Sequence, residues 1–294
     1  MKNTSATTIM NTILESISSE NALNPNSKST GLPSLDNLIG GWQMGVNVVS
    51  ARPGMGLTAF ALTEVYQIMA NLKENEVILY VSDKESSTAL MHRLLSIATQ
   101  IELATIQNGN LKKDSYEKVF HHPLTRQLKD NKLVIINNST PTVYAIREVV
   151  HSLKKEGKKV AMVFVDSLIS LVDRVRYRSQ DMEQVMLDLN LLSEEYEFPV
   201  LCTLTLGRSV EYRESKYPRL SDLDAKLVNV ASKVLFLIRP EYYEVFELPE
   251  EATGEAHLII AKNEGVLDTI KLTLNRRTLT FTELKSYSPN QLSI

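Results

Sequence analysis

Short, nearly continuous apolar runs recur along the chain from Gly31 onward, and stretches with helical periodicity separate them. The runs are residues 46–49, 77–81, 133–136, 160–165, 200–204 and 234–238. Apolar runs of this kind, rich in β-branched residues, are typical of strands that are covered on both faces. The helical stretches between them include residues 86–99, 143–156 and 180–197. This alternation predicts an α/β fold with a mainly parallel, twisted sheet flanked by helices.

The pattern changes towards the C-terminus, where shorter segments follow one another without helices between them. These segments, at residues 257–261, 269–274 and 278–281, predict antiparallel strands at one edge of the sheet. The main domain is therefore expected to span residues 31–285, with a C-terminal tail at residues 286–294.

Residues 1–30 are polar and rich in Ser, Thr and Asn, but they contain one helical pattern. One face of that pattern carries Ile9, Met10, Ile13, Leu14 and Ile17. Because a polar stretch separates this amphipathic helix from the main domain, residues 1–30 are predicted to form a linker. The apolar face must be buried, either against its own domain or against a neighbouring subunit.

Composition is typical of a soluble globular protein. Of the 294 residues, 43% are hydrophobic and 23% are charged, and no apolar run approaches the ~20 residues that cross a bilayer. The single cysteine, Cys202, excludes an internal disulfide, favours a cytoplasmic location and lies in an apolar run that predicts its burial. The net charge of −3 gives no global argument for nucleic-acid binding, although it allows a local basic channel.

A glycine-containing loop lies between the first apolar run and the start of a predicted helix. In such a context the backbone N–H groups bind phosphates, a lysine reaches the β- and γ-phosphates, and a Ser or Thr hydroxyl holds Mg²⁺. Thr58 supplies the hydroxyl, but Leu57 stands at the lysine position. The nucleotide-binding candidates are Arg52, Pro53, Gly54, Met55, Gly56, Leu57 and Thr58. ATP and Mg²⁺ are the candidate ligands.

A second candidate for the phosphate site is Asp166, which ends the apolar run at residues 160–165. Nucleotide hydrolases place a carboxylate that coordinates Mg²⁺ at such a strand end. The alternative is an ordinary aspartate that caps the following turn. With a glycine loop upstream, Thr58 and Asp166 are the expected ligands of Mg²⁺.

Further motifs give the chain a specific family resemblance. They are residues 31–36, Gly40-Gly41-Trp42-Gln43-Met44-Gly45, the loop at 51–56, Arg208-Ser209-Val210-Glu211 with Arg213, Pro218 and Ser221-Asp222-Leu223, Phe236-Leu237-Ile238-Arg239 with Glu241-Tyr242-Tyr243, and Ile260-Ala261-Lys262-Asn263-Glu264-Gly265. In order and spacing, residues 31–282 resemble the RecA-type C-terminal domain of DnaB-family replicative helicases. The resemblance implies a RecA-like P-loop NTPase fold. Residues 1–30 would correspond at most to the linker helix of that family, and no counterpart of its N-terminal scaffold domain is expected.

The departures from the family pattern fall where its chemistry resides. Leu57 removes the lysine whose charge stabilises the transferred phosphoryl group. Register against His92-Arg93 places Lys84 at the catalytic glutamate of the family, whereas a shift of one residue would place Glu85 there. Asp166 and Glu85 are therefore the candidate catalytic residues.

Two further departures concern the γ-phosphate. Thr205 stands where the family has a glutamine that senses this group. The resemblance also implies that Lys262 reaches the nucleotide of a neighbouring subunit. The arginine that should accompany it is replaced by Asn263 or Glu264.

Two basic segments interleaved with aromatic residues are typical of a track for a single-stranded DNA backbone. The candidate DNA-binding residues are Arg174, Arg176 and Arg178 in the first segment and Arg208, Arg213, Lys216 and Arg219 in the second. In the DnaB-like fold, loops at these two positions face the central channel. The alternative is that both are solvated loops with ordinary surface charge.

The resemblance and its departures leave three hypotheses. The first is a helicase-domain homologue that acts in DNA replication or a related DNA transaction as a binding or assembly subunit, with impaired or lost ATP hydrolysis. The second is an active ATP-dependent helicase that uses Arg52, Lys84 or Lys262 in a rearranged site. The third is a protein-interaction module that binds neither nucleotide nor DNA. The expected partners are single-stranded DNA, other copies of the chain in a ring, or replication proteins.

Overall fold

The computed structural model describes Met10 and residues 27–137, 141–172, 179–243 and 254–284. The predicted N-terminal helix lies outside these ranges, except for Met10, which is helical and exposed. The predicted tail at residues 286–294 also lies outside them. The proposed domain boundaries stay predictions.

The apolar runs form the strands of a sheet. In chain order, the strands are β1 (Gly45–Ala51), β2 (Glu76–Ser82), β3 (Leu133–Ile136), β4 (Lys159–Asp166), β5 (Pro199–Thr205), β6 (Lys233–Ile238), β7 (Glu255–Lys262), β8 (Thr269–Asn275) and β9 (Thr280–Glu283). Within the described ranges, their spatial order is β3-β2-β4-β5-β1-β6-β7-β8-β9. The first six strands of that order are parallel, and β7, β8 and β9 are antiparallel to their neighbours. The predicted α/β fold with antiparallel edge strands is confirmed.

The prediction for the last strand, residues 278–281, is wrong by two residues. The side-chain Oδ1 of Asn275 accepts hydrogen bonds from the backbone N–H groups of Arg277 and Thr278, at 3.0 and 3.3 Å. An asparagine that binds its own backbone in this way favours a turn. Residues 276–279 form that turn, and β9 begins only after it.

Helices cover both faces of the sheet. They are α1 (Pro33–Ile39), α2 (Leu57–Met69), α3 (Ser87–Thr99), α4 (Leu103–Gln107), α5 (Lys113–His121), α6 (Pro123–Lys129), α7 (Val143–Lys155), α8 (Ser179–Tyr196) and α9 (Ala225–Val230). The buried residues of α1, α2 and α3 belong to one hydrophobic core, and those of α7 and α8 belong to another. In β2, Tyr80 faces the first core and Leu79 faces the second, because successive strand residues point to opposite faces.

Side-chain caps fix the starts of two of these helices. Ser86 Oγ accepts a hydrogen bond from the N–H of Ala89 at 3.2 Å, and Thr142 Oγ1 accepts one from the N–H of Ala145 at 3.1 Å. Such caps satisfy N–H groups that have no partner inside the helix. Accordingly, α3 begins one residue later than predicted, since Ser86 is its cap and not its first residue.

Composition predicts that Cys202 is buried and that no apolar segment is long enough to cross a membrane. Cys202 is buried in β5, as predicted. Burial raises the pKa of its thiol, so the sulfur stays protonated and is not a nucleophile. In the ranges that the structure describes, we find no helix with the length and apolar character needed to cross a bilayer.

The carboxyl ends of the parallel strands meet at one edge of the sheet. Ala51 at the end of β1 lies opposite Thr205 at the end of β5, and Ser82 at the end of β2 lies opposite Asp166 at the end of β4. Ligands of open α/β sheets bind at this edge. The strand order therefore brings Thr205 and Asp166 to the same edge as the loop that follows β1.

Candidate functional site

The loop between β1 and α2 has a conformation that two glycines make possible. Gly54 and Gly56 have φ angles of 85° and 99°, which lie in the left-handed region. A Cβ on Gly54 would lie 3.1 Å from the ring of Tyr242, and one on Gly56 would lie 3.1 Å from the ring of Phe281. Both positions therefore require glycine, for conformation and for space.

The loop faces a cleft of about 420 Å³, which Gly54, Gly56, Leu57 and Thr58 help to line. Gly56 is the N-cap of α2, and no side chain caps the helix there. Because the first N–H groups of a helix have no partner within it, the start of α2 offers them to an anion in the cleft. Leu57 packs into the hydrophobic core and is only 8% exposed. The loop thus keeps its backbone donors but lacks the lysine charge.

Asp166 is the centre of the polar network beside the loop. Its Oδ2 accepts hydrogen bonds from Thr58 Oγ1 at 2.7 Å and from the Tyr80 hydroxyl at 3.0 Å. Its Oδ1 accepts hydrogen bonds from Thr203 Oγ1 at 2.6 Å and from Lys84 Nζ at 2.8 Å. An ionised carboxylate offers about four lone-pair sites, so these four donors fill its capacity.

The Asp166 carboxylate stays ionised although it is buried. Burial alone would raise its pKa, because a buried charge loses its hydration. The Lys84 ammonium and the hydroxyl donors Thr203 and Thr58 outweigh burial and hold the pKa below its usual range. Burial and the Asp166 charge raise the pKa of Tyr80, so the phenol keeps the proton that it donates.

Two arginines that line the cleft are held by acidic partners on neighbouring turns. Arg52 donates to Glu211 Oε1 from Nε at 2.9 Å and from Nη2 at 2.7 Å, and its Nη1 donates to the carbonyl oxygen of Leu206 at 2.6 Å. Arg239 pairs with Glu241 and donates from Nη1 to the carbonyl oxygen of Gly54 at 3.2 Å. These contacts hold the loop in place from the segment after β5 and from the segment after β6.

Glu85 also lines the cleft, but one arginine binds both of its carboxylate oxygens. Arg93 donates from Nε to Oε2 and from Nη2 to Oε1, each at 2.8 Å. Bidentate pairs of this kind are among the strong ion pairs in proteins. Both alternatives for the glutamate position are thus ion-paired, Lys84 with Asp166 and Glu85 with Arg93. The catalytic role of Glu85 stays a prediction.

Thr205 and Lys262 lie at opposite ends of the sheet. Thr205 lines the cleft, whereas Lys262 pairs across the sheet with Val234 at the start of β6. Lys262 Nζ donates to the carbonyl oxygens of residues 228, 229 and 231 at the end of α9. Three such bonds use every N–H group of an ammonium, and a cation at this place complements the helix dipole. The predicted contact of Lys262 with a neighbour's nucleotide stays a prediction.

The first predicted DNA-binding segment, with Arg174, Arg176 and Arg178, lies outside the described residues. In the second segment, Arg213 donates from Nη1 and Nη2 to the Asp222 carboxylate at 3.0 and 2.9 Å. Lys216 Nζ donates to the carbonyl oxygens of Glu211, at 2.8 Å, and Arg213. These two cations therefore hold the shape of the loop.

Arg208 and Arg219 of the same segment are exposed, and so is the side chain of Tyr212 between them. Two exposed cations with an aromatic ring have the composition of a single-strand track. Binding of DNA here stays a prediction.

Sequence reasoning missed several residues of the site, namely Tyr80, Thr203, Arg93 and Arg239. Tyr80 and Thr203 lie inside strands that are covered on both faces and that flank β4. The available signal is that a hydroxyl in such a strand needs a partner, and Asp166 is the charged group at the neighbouring strand end. The arginines carry no comparable signal, because their partners depend on how distant turns fold together.

No group of three or more His, Cys, Asp or Glu side chains is arranged to hold a metal ion in the ranges that the structure describes. The proposed ligands Thr58 and Asp166 do lie together, and a direct hydrogen bond joins them. Their role as metal ligands stays a prediction.

The sequence model of the family described as "DnaB-like helicase C terminal domain" matches residues 28–283. The chain belongs to this family. A probable replicative DNA helicase of Trieres chinensis is 31% identical to this DnaB-like chain over 251 residues, which are 83% of the chain and 54% of that protein. The replicative DNA helicase DnaB of Rickettsia typhi is 30% identical over 241 residues, which are 78% of the chain and 48% of that protein. The chain spans about half the length of these relatives.

Solved structures share the fold of this DnaB-like chain. The ATPase domain of G40P has a TM-score of 0.84 at 24% identity, with 97% of this chain and 100% of that chain covered. A DnaB-like replicative helicase whose interactions with primase were studied has a TM-score of 0.82 at 24% identity, with 94% of this chain and 68% of that chain covered. The RecA-like fold implied by the family resemblance is confirmed.

Proposed function

We propose that this DnaB-like domain acts in DNA replication as a binding or assembly subunit and that its hydrolysis of ATP is impaired or lost. The role in replication is supported by the relatives that the chain matches, which are called replicative DNA helicases. The loss of hydrolysis is supported by one observation above all. Lys84 forms an ion pair with Asp166 beside a loop whose lysine is replaced by Leu57.

The ion pair leaves Asp166 unsuited to a metal ion. Mg²⁺ takes oxygen ligands in a demanding octahedral geometry. The lone pairs of Asp166 are filled by four donors, and one of these is a cation that repels a second cation. The residues beside the loop therefore do not fit Mg²⁺ in this arrangement.

Among the residues that the structure describes, the cleft also lacks a free base. Glu85 is the acidic side chain among the described residues that line it, and Arg93 binds both of its oxygens. Phosphoryl transfer needs a residue that orients the attacking water. It also needs positive charge that neutralises the charge of the phosphates. With both altered, the expected rate is roughly 10³-fold or more below that of an intact helicase, by analogy with the loss of one arginine finger.

The proposed partners follow from the family and from the exposed cations. We propose single-stranded DNA as a ligand of Arg208 and Arg219, together with Arg174, Arg176 and Arg178. Other copies of the chain in a ring, or replication proteins of the kind represented by the primase of one structural relative, are the proposed assembly partners.

The decisive experiment is a steady-state measurement of phosphate release from ATP with Mg²⁺ and single-stranded DNA. We expect no turnover above that of the Asp166→Asn variant, which serves as the control for contaminating enzymes. Turnover comparable to that of an intact helicase, abolished in Asp166→Asn, would contradict the proposal and favour the hypothesis of an active enzyme with a rearranged site.

A further inference from the structure

Lys84 differs from the three arginines that line the same cleft. The side chains of Arg52, Arg93 and Arg239 are 11%, 24% and 13% exposed, and each guanidinium donates at least two hydrogen bonds to the protein. The Lys84 side chain is 35% exposed, and one of its three N–H groups donates to Asp166. Lys84 thus has the most exposed side chain of these four cations, and two of its N–H groups remain for a ligand in the cleft while the third binds Asp166.

A phosphate group in this cleft needs positive charge nearby. Related loops obtain it from their lysine and from Mg²⁺. Leu57 removes the first source, and the filled lone pairs of Asp166 oppose the second. The cleft keeps the backbone N–H groups at the start of α2 and the Lys84 ammonium, whose side chain is more exposed than those of the three arginines.

We infer that the cleft binds the polyphosphate of a nucleoside triphosphate without a divalent metal ion, with the Lys84 ammonium as the cation that faces the phosphates. The inference rests on the proposed function, because it treats the cleft as a nucleotide site that does not hydrolyse its ligand. Asp166 orients the ammonium, and Thr58, Tyr80 and Thr203 hold Asp166 in place. Mg²⁺ in solution then competes with the cleft for the phosphate oxygens.

The test is calorimetric titration of ATP into the full chain, once with EDTA and once with excess Mg²⁺ at matched ionic strength. We expect the dissociation constant in EDTA to be equal to that in Mg²⁺ within about threefold, or lower. This pair of measurements needs no variant. If Mg²⁺ tightens binding about tenfold or more, or if ATP does not bind in either medium, the inference is wrong.

A variant then identifies the cation. Lys84→Met keeps the length of the side chain and removes the charged hydrogen bond from the ammonium to the phosphates. ATP binding in EDTA should therefore weaken about tenfold or more. Because one lone pair of Asp166 is freed, Mg²⁺ should now tighten binding. The matched control, Lys113→Met, changes an exposed lysine of α5 and should leave both constants unchanged. Equal binding by Lys84→Met and wild type in EDTA would overturn the assignment of Lys84.

The outcomes separate this inference from the proposed function. Fast turnover of ATP contradicts the loss of hydrolysis, whatever the titrations give. Failure of ATP to bind contradicts the inference and leaves the loss of hydrolysis standing.

Discussion

At the residue scale, the buried carboxylate of Asp166 joins four parts of the chain. Thr58 lies in the first turn of α2, Tyr80 belongs to β2, Lys84 follows β2, and Thr203 belongs to β5. Each donates a hydrogen bond to the carboxylate. Hydrogen bonds to charged groups contribute more to stability than those between neutral groups. Asp166 therefore supports the folded state of this edge of the sheet.

Replacement of Asp166 tests that role. Asp166→Asn removes the charge and presents an amide to groups that all donate, so we expect the free energy of unfolding to fall by about 2–3 kcal/mol. Urea unfolding at neutral pH measures the change. Asp130→Asn is the matched control, because Asp130 is exposed and pairs loosely with Arg126, and it should change stability by less than about 0.5 kcal/mol. Equal effects of the two variants would contradict the role of Asp166.

Glu64 in α2 provides a pH-dependent prediction. It is fully buried, its Oε2 accepts a hydrogen bond from Trp42 Nε1 at 2.7 Å, and Oε1 has no hydrogen-bond partner within the described part of the chain. Burial raises the pKa of Glu64 well above its usual value, and the Trp42 bond offsets this only in part. The folded state thus takes up a proton, and stability falls as pH rises from the unfolded pKa towards the folded one.

Glu64→Gln should remove that slope, because the amide never ionises and its carbonyl oxygen still accepts from Trp42. The wild type should lose at most about 1.4 kcal/mol per pH unit within this window, and the variant should be the more stable of the two at high pH. Urea unfolding between about pH 5 and pH 8 measures both curves. The exposed Glu74→Gln is the control, and parallel curves for wild type and Glu64→Gln would refute the assignment.

At the element scale, the loop between β1 and α2 depends on parts of the chain far from it in sequence. The ring of Tyr242 lies against Gly54, and the ring of Phe281 in β9 lies against Gly56. Arg239 adds a hydrogen bond to the carbonyl oxygen of Gly54. Residues from the C-terminal part of the chain thus help to shape the loop at the start of α2.

Alanine substitutions at two glycines distinguish the stability lost through backbone conformation from the stability lost through steric crowding. Gly56 and Gly157 both have positive φ angles, 99° and 76°, but a Cβ on Gly157 meets nothing within 4 Å. Gly157→Ala should cost about 1 kcal/mol of stability from the backbone alone. Gly56→Ala should cost about 2–4 kcal/mol, since Phe281 must also move. Thermal and urea unfolding compare the variants, and equal losses would show that Phe281 does not restrict the loop.

The elements could be predicted from the sequence because the parallel strands are apolar on both faces and their runs are separated by clear helical patterns. The leucine at the lysine position could also be recognised from the sequence, because β1, the loop and α2 follow one another directly along the chain. The pairing of Arg52 with Glu211 could not, because 159 residues separate them and only the parallel order of β1 and β5 brings their turns together. The charges of Arg213 and Lys216 likewise predict contacts with DNA. Their hydrogen-bond partners within the loop depend on how the loop folds and could not be predicted from the sequence.

At the scale of the whole molecule, some of the predicted DNA-binding cations are exposed to solvent, whereas others form ion pairs or hydrogen bonds within the fold. Arg208 and Arg219 are exposed, whereas Arg213 binds Asp222 with two hydrogen bonds. The combined variant Arg208→Ala with Arg219→Ala should weaken binding of single-stranded DNA and leave the unfolding transition unchanged. The slope of log affinity against log salt concentration should fall by about 0.7 for each phosphate that the variant no longer neutralises.

Titration of a labelled oligonucleotide at several salt concentrations measures this slope. Arg126→Ala, in which another exposed arginine on α6 is removed, is the control and should leave it unchanged. An unchanged slope in the double variant would favour the hypothesis that these loops carry ordinary surface charge.

The four donors of Asp166 also constrain the order in which Lys84 and Leu57 could be replaced. Lys84→Glu alone would place two carboxylates side by side while Leu57 supplies no cation. We expect that variant to be less stable than wild type and Leu57→Lys with Lys84→Glu to be more stable than the sum of the single effects. A lysine at position 57 would thus lower the cost of Lys84→Glu by supplying a cation. The stability of the folded state, independently of any selection for activity, therefore favours Lys84 as long as Leu57 occupies the loop.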